Sequence, residues 1–344
     1  TSGSVKCWGE GFHGQLGNGA TANQNTPVDV VATGGSGTLT DITQIAAGSY
    51  HTCALTTSGS VKCWGYGYYG QLGNGATANQ NTPVDVVATG GSGTLTDVTS
   101  ITAGGYHTCA LTTSGGAKCW GESFFGQLGN NDTTNQNTPV DVVATGGTGT
   151  LTDITQITAG GIHTCALTTS SGAKCWGSGL SGRLGNGATA NQNTPVDVVA
   201  TGGSGTLTNI TQITAGGSHT CALTTSGSVK CWGHGASGQL GNNDTTNLNT
   251  PVDVVATGGT GTLTNITQIT AGNTHTCALT TSGSVKCWGH GASGQLGSND
   301  TANQTAPVNV TASGQQPGLP ATLAVTVTDD TGTWTLGRVV LGTR

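Results

Sequence analysis

The sequence predicts an all-β repeat protein, a propeller or a sandwich built from short strands. Three observations carry this. The tripeptide Cys-Trp-Gly stands at Cys7, Cys63, Cys119, Cys175, Cys231 and Cys287, always 56 residues apart, and a fixed period of that size marks an array of supersecondary units. The composition, 61 Gly and 7% charged residues with no Met in 344 residues, is poor material for helices and good material for short strands and tight turns. Val, Ile, Leu and Trp recur at fixed phase in every unit, which sets the chain apart from disordered sequences of similar charge and glycine content. Neighbouring repeats share a continuous core, so one body is expected where length alone would suggest two or three domains.

Each unit reads in the same order. Cys-Trp-Gly is followed by a variable tetrad and then by Gly-Gln-Leu-Gly-Asn, as at Gly70 to Asn74. A polar stretch leads to a short strand, Pro83 to Val87, whose proline suits an edge or first-residue position. A glycine-rich loop, a strand over Asp97 to Ala103 and a hairpin carrying the cysteines complete the unit. That makes four short strands per unit, split by turn residues.

The hairpin sets the cysteine chemistry. Cys53 and Cys63 flank a Thr57-Ser58-Gly59 turn. A three-residue loop with Gly in the left-handed position places 53 opposite 63, close enough for a disulfide. The predicted bridges are Cys53–Cys63, Cys109–Cys119, Cys165–Cys175, Cys221–Cys231 and Cys277–Cys287; Cys7 is left over. In one unit Ser171 stands where Gly is expected, so a different turn is expected there. Five bridges point to an oxidising, extracellular or cell-surface setting.

The pattern G-x-x-H-T-C-A-L-T-x-x-G-x-V-x-C-W-G-x-x-x-x-G-Q-L-G, as in the stretch from His51 to Gly73, closely resembles the repeat of the regulator of chromosome condensation, the RCC1-like propellers. The resemblance covers residues 1 to about 311. It implies a β-propeller of six to seven four-stranded blades; the family usually has seven, and this chain supplies six Cys-Trp-Gly units. The cysteines depart from the eukaryotic pattern and resemble a secreted bacterial type. Residues 1–311 are therefore read as the repeat propeller. Residues 312–344 are read as a linker, Gln315 to Gly318, and a hairpin over Val327 to Gly337 with its turn at Asp329 to Gly332. That hairpin either closes the ring against the N-terminal half-blade or adds to a neighbouring subunit's sheet.

In near-copies, the differences are informative. The tetrads are Glu10 to His13, Tyr66 to Tyr69, Glu122 to Phe125 and Ser178 to Ser181, then His-Gly-Ala-Ser twice, at His234 and His290. A second variable position precedes each His-Thr-Cys: Tyr50, Tyr106, Ile162, Ser218, Thr274. Every Tyr, every Phe and both Glu fall in these two places. Equivalent propeller loops emerge on one face, so Phe12, His13, Tyr50, Tyr66, Tyr68, Tyr69, Tyr106, Phe124, Phe125, Ile162, Leu180 and Arg183 are expected to form a binding patch. The bland alternative is that they fill the central channel or cover loops.

Other chemistries are weaker. His51, Cys53 and Cys63 could hold zinc, but nine intervening residues is not a usual zinc spacing, and a structural histidine beside a disulfide is preferred. The glycines of Gly-Gln-Leu-Gly-Asn lack the Lys-Ser/Thr of a phosphate loop. Asp132, Asp244 and Asp300 lack EF-hand spacing. No Ser-His-Asp set stands out, since the histidines and aspartates repeat with the scaffold. No cofactor and no metal are expected. Sequons occur at Asn131, Asn209, Asn243, Asn265, Asn299, Asn303 and Asn309. The net charge of −6 with lysines spread one per repeat argues against nucleic acid, and no apolar run approaches a membrane span. The chain opens at Thr1 in mid-repeat without a start Met, and is read as processed or partial.

The family's founding member is a nucleotide exchange factor for a nuclear GTPase, a role that disulfide-rich repeats do not fit; secreted bacterial relatives include a protein inhibitor of β-lactamases. The expectation is a secreted, non-enzymatic module binding a protein or glycan through the aromatic face. The alternative is a structural subunit of a surface appendage or extracellular filament, binding copies of itself through the C-terminal arm.

Overall fold

The computed structural model describes residues 3–311 and, further on, the strands at 326–329 and 332–335. Six sheets follow one another in chain order, each an antiparallel meander. The first contains β1 (Lys6–Gly9) and β2 (Gln24–Asp29). The second contains β3 (Ile42–Ala47), β4 (His51–Thr56), β5 (Val61–Gly65) and β6 (Gln80–Asp85). The third is β7 (Val98–Ala103), β8 (His107–Thr112), β9 (Ala117–Gly121) and β10 (Gln136–Asp141). The fourth is β11 (Ile154–Ala159), β12 (His163–Thr168), β13 (Ala173–Gly177) and β14 (Gln192–Asp197). The fifth is β15 (Ile210–Ala215), β16 (His219–Thr224), β17 (Val229–Gly233) and β18 (Leu248–Asp253). The sixth is β19 (Ile266–Ala271), β20 (His275–Thr280), β21 (Val285–Gly289) and β22 (Gln304–Asn309). These are propeller blades, five of them four-stranded. Among the described residues the first unit shows its two outer strands, the counterparts of β5 and β6.

The hairpin forms in the expected register. Leu55 faces Val61, Cys53 faces Cys63, and the Thr56 amide donates to Ser60 O at 2.9 Å. Gly59 takes φ +79° at the turn. The unit with Ser171 keeps the same turn, contrary to expectation: Thr168 N donates to Gly172 O, and Ser171 itself adopts φ +60°. A side chain in that left-handed position costs about 1 kcal/mol, which the surrounding ladder absorbs. All five expected disulfides are present, with Cα atoms 4.1 Å apart.

Strand limits shift by a few residues. The outer strand runs Gln80–Asp85 instead of Pro83 to Val87, and Val87 makes only an isolated bridge to Thr94. Pro83 thus sits inside the strand, which is tolerated because this is an outer edge strand. The inner strand starts at Val98 because Asp97 is turned to φ +60°.

The core lies between blades. One cluster joins Cys53, Leu55, Val61, Cys63, Leu72 and Val86 of the second blade to Leu95, Val98, Ile101, Ala110 and Trp120 from the next repeat; the pattern recurs around the array. A blade alone would expose half of each cluster, so the repeats stabilise one another. The tryptophans from Trp64 to Trp288 are fully buried, each indole donating to the backbone carbonyl of the preceding unit, as Trp120 Nε1 does to Gln71 O at 2.9 Å. That approach explains the second glycine of Gly-Gln-Leu-Gly. A Cβ on Gly73 would lie 2.6 Å from Trp120 Nε1, and its φ is +66°.

Polar side chains lock the same seam. Gln44 spans it twice, Nε2 donating to Ile101 O and Oε1 accepting from Ile101 N, both at 3.0 Å. His51 Nε2 lies 2.8 Å from Thr108 Oγ1, which donates onward to Gln71 O at 2.8 Å. The threonine proton is therefore committed, so the imidazole carries its proton on Nε2. The lysine of each unit pairs with its outer strand, as Lys62 does with Asp85 at 2.6 Å.

The C-terminal β23 (Thr326–Asp329) and β24 (Gly332–Thr335) pair antiparallel with Asp329 opposite Gly332, the turn position expected. The linker assignment and the choice between ring closure and an arm fall on residues outside those described.

Candidate functional site

The two variable positions of each unit are held together by the backbone. The first tetrad residue donates its amide to the carbonyl of the residue before His-Thr-Cys: Tyr66 to Tyr50, Glu122 to Tyr106, Ser178 to Ile162, His234 to Ser218 and His290 to Thr274, at 2.8 to 3.0 Å. The tetrad is also braced from below. Asn79 Oδ1 accepts from Gly67 N, and Gln71 Oε1 accepts from Tyr69 N, both at 3.0 Å. A rigid scaffold thus presents a small cassette whose side chains change from unit to unit and include every Tyr and Phe of the chain.

In the first three units those side chains meet. Phe12, His13, Tyr50, Tyr66, Tyr68, Tyr69, Tyr106 and Phe124 form one network of ring contacts. His13 sits 4.8 Å from Tyr66 and 5.4 Å from Tyr50. Tyr50 stacks on Tyr106 at 5.6 Å, linking the second unit to the third. Tyr69 reaches Tyr106 at 5.2 Å and Phe124 at 5.9 Å. Edge and offset contacts of this kind each add about 0.5–1.5 kcal/mol, so the patch is pre-organised. Phe12 (71%), Tyr68 (65%) and Phe124 (57%) stand out from it, while Tyr50, Tyr66, Tyr69 and Tyr106 are half-buried between them. Burial, with the neighbouring Tyr50 phenol next in effect, pushes Tyr106 up to about 12, so its hydroxyl stays protonated.

The remaining expected residues are placed differently. Phe125 and Ile162 are half-buried, Leu180 is 63% exposed in the fourth unit, and Arg183 is buried to 3%. In the fifth and sixth units the cassette is polar: His234 and His290 accept through Nδ1 from Gln239 and Gln295 at 2.9 and 2.6 Å. Sequence reading missed the glutamine beneath each tetrad as a loop-closing residue. The one available signal was its replacement by Arg183 in an otherwise constant motif. The thiols considered as zinc ligands are consumed in disulfides, and the aspartate of the polar stretch closes its own turn, Asp132 Oδ1 accepting from Thr133 N at 2.7 Å.

Sequence profiles of the regulator of chromosome condensation (RCC1) repeat match residues 2–55, 58–111, 115–167, 175–223 and 226–279. The ultraviolet-B receptor UVR8 of Arabidopsis thaliana is 32% identical over 305 residues, covering 88% of this chain and 64% of the receptor. The human E3 ubiquitin-protein ligase HERC2 is 34% identical over 283 residues, covering 81% of this chain and 5% of the ligase. The chain thus spans less than two thirds of either relative. Among solved structures, human WBSCR16 superposes with a TM-score of 0.70 at 21% identity, covering 89% of this chain and 78% of that one. Yeast RCC1 (Prp20), solved bound to Kap60, gives 0.51 at 19% identity, covering 90% and 84%. On the profiles, the relatives and the fold together, the chain belongs to the regulator of chromosome condensation (RCC1) repeat family of β-propellers.

Proposed function

We propose that this chain is a secreted, non-enzymatic binding propeller that grips a protein or glycan through its aromatic face. The observation that carries this is the eight-ring network, which confines every tyrosine of the chain to one patch and leaves Phe12, Tyr68 and Phe124 standing out of it. Large, rigid aromatic surfaces are the anchors of interfaces. Five disulfides support an oxidising compartment. Protein binding by this fold is supported by yeast RCC1 (Prp20), solved bound to Kap60 and described with binding properties to Gsp1p and histones.

The test is selection of ligands for the purified chain from a glycan array and a displayed-peptide library, followed by the triple substitution Tyr66→Ala, Tyr68→Ala, Tyr69→Ala. Affinity is expected to fall roughly 100-fold or more. The melting temperature falls with the ring contacts that are removed, so an unchanged circular-dichroism spectrum at the binding temperature is the control for folding, none of the three belonging to a core cluster. Unchanged affinity for every selected ligand sinks the reading.

One observation favours the structural-subunit reading. Among the described residues β1 pairs with β2, whereas the equivalent β5 is paired on both sides, and a sheet edge of that kind can accept a strand. If a C-terminal arm from a second copy fills it, deleting residues 318–344 leaves only monomers by light scattering. Polymers that persist after the deletion refute assembly by the arm.

A further inference from the structure

Five units carry glutamine in the Gly-Gln-Leu-Gly turn; the fourth carries Arg183. Each glutamine closes the loop above it. Its Oε1 accepts the backbone N–H two residues earlier at 2.8 to 3.0 Å in all five units. In three of them Nε2 reaches the side chain five residues earlier: Glu122, His234 or His290. A guanidinium has no acceptor and cannot make the first of these bonds. The fourth loop is accordingly reshaped. Leu180–Gly182 winds into a short 3-10 turn, Ser181 is forced to φ +62°, and Arg183 Nε donates to Leu180 O at 2.9 Å.

The rest of the guanidinium has no counter-charge. Among the described residues every ion pair is a Lys–Asp pair of the outer strands. The residue five before Arg183 is Ser178, 1% exposed, whose Oγ is sealed without a hydrogen-bond partner. The other titratable groups that feel the charge are imidazoles, His163, His219 and the half-buried His234. His234 accepts at Nδ1 from Gln239, whose Oε1 is already occupied by Ser237 N, so its remaining ring nitrogen is a donor. A buried cation, an unpartnered hydroxyl and an imidazole donor, with no carboxylate among them, is an arrangement that lacks only a negative ligand.

We propose that Arg183 and Ser178, beside His234, form an anion-binding subsite between the fourth and fifth blades that takes an oxyanion, a carboxylate or sulfate carried by the ligand. The subsite goes beyond the aromatic patch and does not depend on it, because a small free anion needs no aromatic surface.

The probe is sodium sulfate, with acetate as the planar comparison, titrated at constant ionic strength against sodium perchlorate and followed by melting temperature and by the His234 ring resonances. The wild-type chain is expected to show a saturable response. Arg183→Gln restores the residue that five units already use, so it should fold with an undiminished melting temperature, and its sulfate affinity should fall about 10-fold or more. The Tyr66→Ala, Tyr68→Ala, Tyr69→Ala protein should respond as the wild type does. A wild-type response no greater than that of Arg183→Gln, or no saturable response at all, overturns the proposal.

Discussion

Lowering the pH from 7 to about 4.5 is expected to unfold the propeller, because four histidines are held neutral in the folded state and would gain protons only by leaving it. His51, His107 and His219 are lowered to about 3, with burial the largest cause in each; His163 is lowered well below its ordinary value by burial, then by the charge on Arg183. The geometry gives the reason. Each donates Nε2–H across a blade seam to a threonine whose own proton is committed to a backbone carbonyl, at Thr108, Thr164, Thr220 and Thr276. Each Nδ1 is sealed with no partner, so a second proton there would be a buried charge without an acceptor.

The sign is fixed by where the protons go. The unfolded chain binds them as pH falls through about 6.5, the folded chain only far lower, near 3 for His51, His107 and His219, so stability is complete above the unfolded value and is lost below it. Each histidine removes about 1.4 kcal/mol per pH unit in that window, and four of them roughly 11 kcal/mol by pH 4.5. That is comparable to the whole stability of an ordinary domain. Urea unfolding followed by tryptophan fluorescence at pH 7, 6 and 5 measures the slope. His107→Gln keeps a donor for Thr164 and should reduce the slope by about 1.4 kcal/mol per pH unit. Stability that stays flat from pH 7 to 5 would show that these imidazoles titrate normally and that the seam opens to water.

How much of this was legible in sequence follows from what each residue depends on. The hairpin and its five disulfides were readable because the bridge at Cys53 and Cys63 is fixed by a local turn of known loop length. The aromatic cassette was readable because every Tyr and Phe of the chain falls at two variable places of the repeat, although not that Tyr66 N bonds Tyr50 O and so brings the two together. The inter-blade roles of His51, Gln44 and Trp120 were not readable. Their partners lie 57, 57 and 49 residues away in a neighbouring unit, and no local pattern encodes that register. The same holds for Arg183, expected on the binding surface by its position near the tetrad. It is buried, as Gln71, Gln127 and Gln239 are at the equivalent position, because the tetrad loop covers that side chain in each of these units. Ser171 shows the converse limit: sequence flagged the exception, yet the turn survives because the flanking ladder outweighs one strained residue.

Reduction of the five disulfides is expected to cost the array most of its stability. Each bridge closes a loop with a sequence separation of 10. On the chain-entropy account a loop of that size contributes about 2.7 kcal/mol, so five approach ~13 kcal/mol if they act independently. The cystines are also core. Cys53 and Cys63 are fully buried in the cluster shared with Val98, Ile101 and Trp120, so each bridge tightens a hairpin and fills the seam to the next blade. In a repeat array the loss should be position-dependent, since each unit stabilises both neighbours. Replacing Cys165 and Cys175 by Ala in the fourth blade, which has a complete four-stranded neighbour on each side, should therefore lower stability by about 3–5 kcal/mol, entropy plus a small cavity. The equivalent change at Cys277 and Cys287 should cost less, because those sulfurs belong to residues 4% and 2% exposed where Cys165 and Cys175 are fully buried. Equal losses at the two sites would mean that the bridges act only on the unfolded chain. A larger loss at the fourth blade would place the difference in the seams that hold the blades, and with them the aromatic face, in register.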